Sequence, residues 1–519
     1  MATFINKTVK LFFTALIGLI VFGLSYKLVF YLISSPVIAL AAAAVIVVAI
    51  SVFFVLSAKP AENLYQKTSA KLSGVSPVRL AVILGIVCLV TKVGLVLVFD
   101  ADSNLHADME RYISYANQIA NQGCITEDAG YAATFAYTIV YGLLLSPIAR
   151  FCGTDSMGYA IVLSVLVAVV MVLLFDILRR YAGNTTAFAG LLVYNLLPMG
   201  LFQTQVVIHE TPLLFFHVLT FWLLEKVLNN KYKIITNILL CTLICVLASV
   251  GGSVNAAGRV VIVSFAIYAI AKLIGRKLTK ENLVKTIALI LCVFMLLGVC
   301  YMATKYIPKT CRSTFVAVDQ SEDRAKRLPY GWALYLGSNY ETHGSWNETD
   351  STTYDMYLEY ETQEEAYEYQ RNLLNERLSQ YKENPLKIPS HLIQKVWLLW
   401  SPYFSYSAVP DSPGYQNLLY SFGGIFQKGL FAINYLGFIM FYFMALIGMY
   451  NKKTNEKRYN TPVLHFMMVP LGVTAALILF EVAPKYSSHM QILLFCVGII
   501  NFSTFRLNIS AIRSKLCKK

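Results

Sequence analysis

An all-α polytopic membrane protein is the fold class this sequence predicts, and three observations carry it. Hydrophobic residues fill 57% of the 519 positions and charged residues only 14%, against about a quarter charged in a soluble domain. Apolar runs of about 20 residues recur along the chain, each long enough to cross the hydrocarbon layer as a helix that satisfies its own backbone. The Lys and Arg residues behind the net charge of +14 gather in short connections between those runs, which is how cytoplasmic loops are marked. The basic balance is therefore a topology signal, and no nucleic-acid partner is expected.

Taken in order, the runs predict about twelve spans, at 11–33, 36–58, 79–99, 156–178, 184–203, 211–228, 233–250, 258–272, 284–304, 429–450, 462–480 and 489–505. The first follows Lys7 and Lys10, is too long for a signal-peptide core, and reads as an uncleaved span. Alternating the spans from a cytoplasmic start places the basic clusters around Lys71, Arg179, Lys233, Arg276, Lys453 and Arg513 on one side. Acidic stretches fall on the other side, at 100–155, near Glu210, across 305–428 and at Glu481. The chain then divides into 1–78, two N-terminal spans with a basic loop; 79–304, a core with the first outer loop at 100–155; 305–428, an extracytoplasmic region; and 429–519, the last spans and a basic tail, with both termini cytoplasmic.

From Glu341 to Glu368 there are nine carboxylates and no Lys or Arg, as expected of a small α or α/β subdomain resting on the membrane face. Residues 131–152 and 391–406 are apolar but rich in Tyr and Trp, so they are read as outer-face juxtamembrane helices. Trp397, Trp400, Tyr403 and Tyr406 would form an interfacial aromatic belt. No internal repeat supports an inverted-repeat transporter. Most of the ten cysteines lie in apolar runs as small hydrophobes. Cys124 and Cys152, in the first outer loop, are the candidates for a disulfide, and no Cys/His cluster has zinc-ligand spacing.

Charges where hydropathy gives no reason for them point to a site. Asp100, Asp102 and Asp108 follow the third span directly, and Asp108, Tyr112, Ala116, Ile119 and Gly123 recur at helical intervals, predicting a short helix with a carboxylate in its first turn and a glycine stop. His209-Glu210 sits between two apolar runs, Glu481-Val-Ala-Pro-Lys485-Tyr486 lies in the last turn, and Arg259 stands beside a glycine-rich turn. Each has a plainer reading: a helix cap for Asp108, a helix start at Glu210-Thr211-Pro212, a snorkelling Lys485, a misplaced boundary at Arg259. Together, carboxylates facing cations suit a substrate that presents one hydroxyl to a base and one phosphate to a cation. A phosphate leaving group is already a stable anion, so one carboxylate base with Lys or Arg support is sufficient, whereas a glycosidase needs two carboxylates about the bond.

The Asp108-x3-Tyr112-x3-Ala116 block ending at Gly123, with the apolar helix ending at Cys152-Gly153, resembles the first outer loop of C-type glycosyltransferases. The protein O-mannosyltransferase and aminoarabinose-transferase-like branch is the nearest in kind. The stretch LYLGSNYETHGSWNETD, with Gly337, Asn339, Gly344, Trp346, Asn347 and Asp350, is similar to a Gly/Asn/Trp segment of bacterial members. Glu481-x3-Lys485-Tyr486 is similar to their Glu-x3-Arg-Tyr motif, with Lys485 in place of arginine and its bidentate grip. The resemblance covers about 79–505. It implies an inverting transferase that takes sugar from a polyprenyl-phosphate-linked donor on the outer face, with Asp108 as base and Glu210 as a second acidic residue. Lys485, Tyr486 and Arg259 would hold the phosphate, and Arg111, Tyr112, His209, Asn339 and Trp346 would line the substrate site. The acceptor would be an extracytoplasmic glycan, lipid or protein, with membrane lipids around the bundle. No particular cofactor is assigned. A divalent cation bound by Asp100 and Asp102 with Asp108 and Glu210 is compatible with their oxygen ligands. The alternatives from other classes are a secondary transporter or lipid-linked sugar flippase, and an envelope assembly protein that binds a partner through 341–368.

Overall fold

The computed structural model describes residues 2–99, 108–229, 232–274, 280–317, 331–402, 424–449 and 462–516. Among these every regular element is helical, and the only strand-like pairing is one parallel bridge between Ile125 and Val316. Among the described residues, ten helices are long and apolar enough to cross a bilayer. They lie within α1 (Ala2–Ile33), α2 (Pro36–Leu72), α3 (Pro77–Phe99), α7 (Ser156–Ala182), α10 (Glu210–Asn229), α11 (Ile234–Val254), α12 (Ala257–Ile274), α13 (Lys280–Phe315), α18 (Gly424–Gly448) and, running on from the turn before it, α20 (Ser488–Leu516). The chain is a multi-pass membrane protein.

Two of the twelve expected spans take a form other than one long helix. The run at 184–203 divides into α8 (Asn184–Leu196) and α9 (Pro198–Phe202), because Pro198 has no N–H to continue the ladder and holds Leu197 extended at ψ 146°. Backbone freed in hydrocarbon has to find partners within the protein. Met199 N–H donates to Asn434 Oδ1 at 3.1 Å, and the ammonium of Lys92, buried on α3, donates to the Gly200 carbonyl. The run at 462–480 holds only α19 (Val463–Leu477), 15 residues long with Pro470 inside it.

Lipid tails are as apolar as leucine, so helices in a bilayer associate through close approach rather than through exclusion from water. Where α18 meets α20, a Cβ on Gly448 would lie 2.5 Å from that of Asn501, and one on Gly498 would lie 2.9 Å from the Phe441 carbonyl oxygen. The buried Glu225 of α10 is compensated from three sides, by Lys272 and Tyr268 of α12 and by Tyr181 of α7 at 2.9 Å, as a buried charge requires.

At the end of the bundle where α3 stops, three short helices form a roof. Helix α4 (Asp108–Gln122) begins at the expected aspartate and ends at Gly123, whose φ of +76° is the left-handed stop. Tyr112, Tyr115, Ala116 and Ile119 of α4 pack on Tyr141, Leu145 and Ala149 of α6 (Tyr137–Cys152), with α5 (Ala129–Thr134) between them in sequence. Gly142 permits the approach, since a Cβ there would lie 3.0 Å from that of Tyr115. The same core includes Tyr159, Val207, Val254 and Cys311, so the roof sits on the ends of α7, α11 and α13 and on the connection into α10.

Residues 331–402 form a second layer of helices: α14 (Trp332–Gly337), α15 (Glu348–Glu359), α16 (Gln363–Glu383) and α17 (Lys387–Leu399). A capping box of Thr362 and Glu365 opens α16. Asp350, 3% exposed, binds Arg377 at 2.7 Å, Asn339 at 2.6 Å and Asn347 at 2.8 Å. Burial alone would raise the Asp350 pKa, but these donors outweigh it and hold the carboxyl below the usual range. A depressed carboxylate stabilises the fold above its unfolded value, about 3.9, and that stability disappears as pH falls through the folded value. Asp350→Asn is expected to weaken this layer by about 3–5 kcal/mol by stranding Arg377, read as faster native-state proteolysis within 345–383.

The expected aromatic belt is corrected. Trp400 is 1% exposed and donates its indole N–H to Thr474 at 2.9 Å; Trp397 donates to the Leu19 carbonyl at 3.0 Å and stacks on Tyr26. They anchor α17 to α19 and α1, and α1 makes room with Gly23, where a Cβ would lie 2.1 Å from the Trp397 ring. Tyr403 and Tyr406 lie outside the described residues.

Candidate functional site

Asp108 is the first residue of α4, where the free N–H groups of the helix favour a negative charge. Tyr131, from α5, donates its hydroxyl to Oδ1 at 3.0 Å, and Lys485 donates to Oδ2 at 3.0 Å. Arg111, one turn along α4, stands 3.8 Å from Oδ1; its tighter partner is Asp128 at 2.7 Å, and it lies over the Tyr131 ring at 4.1 Å. Burial pushes the Asp108 pKa up, but the Lys485 charge and the hydrogen bonds from Lys485 and Tyr131 outweigh it, leaving the carboxyl below its ordinary value. Asp108 is thus ionised at neutral pH and occupied by a cation.

Glu210, the first residue of α10, is 1% exposed beside this pair. Its carboxylate lies 3.5 Å from His209 Nε2 and accepts no hydrogen bond from any other described residue. Rings of Tyr112, Tyr137 and Tyr141 surround His209, with centroids 5.5, 5.4 and 6.1 Å away. Burial, with the Lys485 charge added, holds His209 neutral, its pKa lowered to about 3. The Tyr141 hydroxyl and both ring nitrogens of His489 likewise lack partners among the described residues. Buried polar atoms are nearly always satisfied in folded proteins, so a group of unsatisfied ones beside an ion pair marks a place for water or ligand.

Lys485 is carried by a 3-10 turn, Pro484–Ser487, and the next residue, Tyr486, donates its hydroxyl to Glu481 at 3.0 Å. Burial raises the Glu481 pKa against the opposing pull of Tyr486 and Lys485. The segment before Lys485 is bound to the second layer: Glu481 N–H donates to the Ala333 carbonyl at 2.9 Å, and Val482 N–H donates to that of Gly344 at 2.8 Å.

The structure therefore brings together Asp108, Arg111, Tyr112, His209, Glu210, Lys485 and Tyr486. It does not bring in the remaining expected residues. Arg259 is exposed in the first turn of α12 and forms no ion pair with a described carboxylate. Asn339 is committed to Asp350, and Trp346 is 56% exposed on the second layer. Asp100 and Asp102 lie outside the described residues. Cys124 and Cys152, the candidates for a disulfide, are free thiols. Sequence reasoning missed Tyr131, Tyr137 and His489. The two tyrosines belong to a stretch whose tyrosines it assigned to the headgroups, and His489 follows the Lys485 motif by only four residues.

A divalent cation does not fit the described donors. The Lys485 ammonium already occupies the Asp108 carboxylate, and among the described residues no three His, Cys, Asp or Glu side chains are grouped to hold an ion.

The family model described as dolichyl-phosphate-mannose-protein mannosyltransferase matches residues 137–301. The matched segment contains Tyr137, Tyr141, His209 and Glu210; Asp108 and Lys485 lie outside it. No curated protein and no solved structure matches the chain. The match supports the resemblance to C-type membrane glycosyltransferases over this segment.

Proposed function

We propose that this protein is an inverting membrane glycosyltransferase that moves a sugar from a polyprenyl-phosphate-linked donor to a hydroxyl of an extracytoplasmic glycan, lipid or protein, with Asp108 as general base. The observation that carries this reading is the Asp108–Lys485 pair at 3.0 Å beside the buried carboxylate of Glu210, which accepts no hydrogen bond from another described residue. One group can take a proton and its neighbour can hold a phosphate. In the resting site the two neutralise one another, and a donor phosphate that claims Lys485 releases Asp108 and raises its basicity.

Asp108 then takes the proton of the acceptor hydroxyl as its oxygen bonds to the anomeric carbon. The carbon–oxygen bond to phosphate breaks, and the electron pair leaves on the phosphate against Lys485. A single displacement inverts the anomeric centre, and the proton departs from Asp108 to water. Glu210, with its unused acceptors, binds sugar hydroxyls or the acceptor beside the reacting carbon. On this reading the roof and the 305–428 region face outside, the core spans 79–304 with two further spans before it and the last spans after it, and both termini are cytoplasmic.

The test is transfer by purified protein in liposomes supplied with polyprenyl-phosphate sugars, with products followed by mass spectrometry. New glycosidic product with the inverted anomer is expected; movement of the lipid-linked sugar across the bilayer without any transfer would overturn the reading in favour of a flippase. Glu210→Gln is expected to lower transfer about tenfold or more, as loss of one charge-assisted hydrogen bond allows, while thermal unfolding of the purified protein is unchanged.

A further inference from the structure

We infer that Lys395 is a positioning residue: it pins the second helical layer to the turn that carries Lys485, and so sets where the phosphate-holding ammonium stands. This rests on the reading of Lys485 above, although Lys395 touches neither Asp108 nor Lys485 in any recorded hydrogen bond or ion pair. Lys395 lies on α17, is 1% exposed, and donates to two carbonyls, Gly337 at 2.7 Å and Phe480 at 2.6 Å. Gly337 ends α14, and Phe480 follows the end of α19 at Leu477. A lysine between two such carbonyl-rich termini is where helix dipoles favour a cation.

The surroundings are built around this ammonium. At Gly344, with φ of +73°, an added Cβ would lie 2.9 Å from Lys395 Nζ, and at Gly337 it would lie 2.3 Å from the Phe480 carbonyl carbon. His391 shares the Gly337 carbonyl at 3.0 Å. The segment thus held includes Glu481 and Val482, each with one backbone bond to the second layer, and Lys485 follows three residues later. The other side of the turn is fixed by Ser487, which donates to the Leu399 carbonyl, again on α17. The Gly/Asn/Trp stretch accordingly bears on the site through its backbone, as the mount of the turn.

Burial lowers the Lys395 pKa to about 8, partly opposed by Glu481, but a neutral amine still donates two hydrogens, so the mount is not a pH switch. The test pairs Lys395→Met, which keeps the chain length and removes the donors, with Gly337→Ala, which displaces Phe480 from the other side. Hydrogen exchange at the Glu481 and Val482 amides is read alongside the affinity for polyprenyl phosphate, the expected product lipid. Both variants are expected to speed exchange at these amides at least tenfold and weaken polyprenyl phosphate about tenfold, with protection across α18 and α20 unchanged. Unchanged exchange would overturn the pin. Faster exchange with unchanged lipid affinity would overturn the link to Lys485. If polyprenyl phosphate fails to bind even the unaltered protein, the reading of Lys485 falls while the exchange result still judges the pin.

Discussion

Asp108→Asn lowers transfer by about 10²–10⁴-fold, the usual contribution of a positioned general base, while leaving expression and donor binding near those of the unaltered protein. Asparagine retains the shape and one accepting oxygen, so it keeps one of the two bonds from Tyr131 and Lys485, but it cannot take a proton. The loss should therefore fall on kcat, with the donor KM little changed. Because the donor and Asp108 both draw on Lys485, the variant should bind polyprenyl phosphate at least as tightly as the parent. Retained transfer would remove Asp108 from the mechanism.

Lys485→Met is the second large effect, and it separates from the first in its pH dependence. Without the ammonium, the leaving phosphate loses its electrostatic support, a loss of about 10²–10³-fold for one preorganised donor, and polyprenyl phosphate binds more weakly as well. In the parent protein Lys485 holds the Asp108 pKa down, so the acid limb of kcat/KM for the free protein lies below the ordinary carboxylate value, about 3.9. Removing Lys485 leaves burial as the dominant influence, and the limb moves to higher pH. Lys485→Arg keeps the charge and should keep most of the activity. An acid limb unmoved in Lys485→Met would show that the limb belongs to another group.

Helix-forming patterns were legible at the level of single residues in the roof. The intervals from Asp108 to Gly123 predicted α4 and its stop, because burial on one face and a left-handed glycine both leave local traces. The spans were legible from hydropathy, but the break at Pro198 was not, because hydropathy does not register a missing N–H. Trp397 and Trp400 were misread because composition cannot tell an indole at the headgroups from one whose N–H finds Leu19 or Thr474 inside the bundle. In the site, Asp108, Glu210 and Lys485 were legible as charges without a hydropathic reason. Asn339, Trp346 and Arg259, expected beside them, are not brought to the Asp108–Lys485 pair. What ties the 331–344 stretch to Lys485 is backbone hydrogen bonding across more than a hundred residues of sequence, together with one buried lysine, and neither leaves a local pattern.

The most direct measurement is an experimental structure of the protein with polyprenyl phosphate bound. The account predicts the phosphate within about 3 Å of Lys485 Nζ, the distance of a charge-assisted hydrogen bond, with Lys485 drawn off Asp108 and the freed carboxylate facing the space beside Glu210. A phosphate bound elsewhere, with the Asp108–Lys485 pair intact at 3.0 Å, would contradict it.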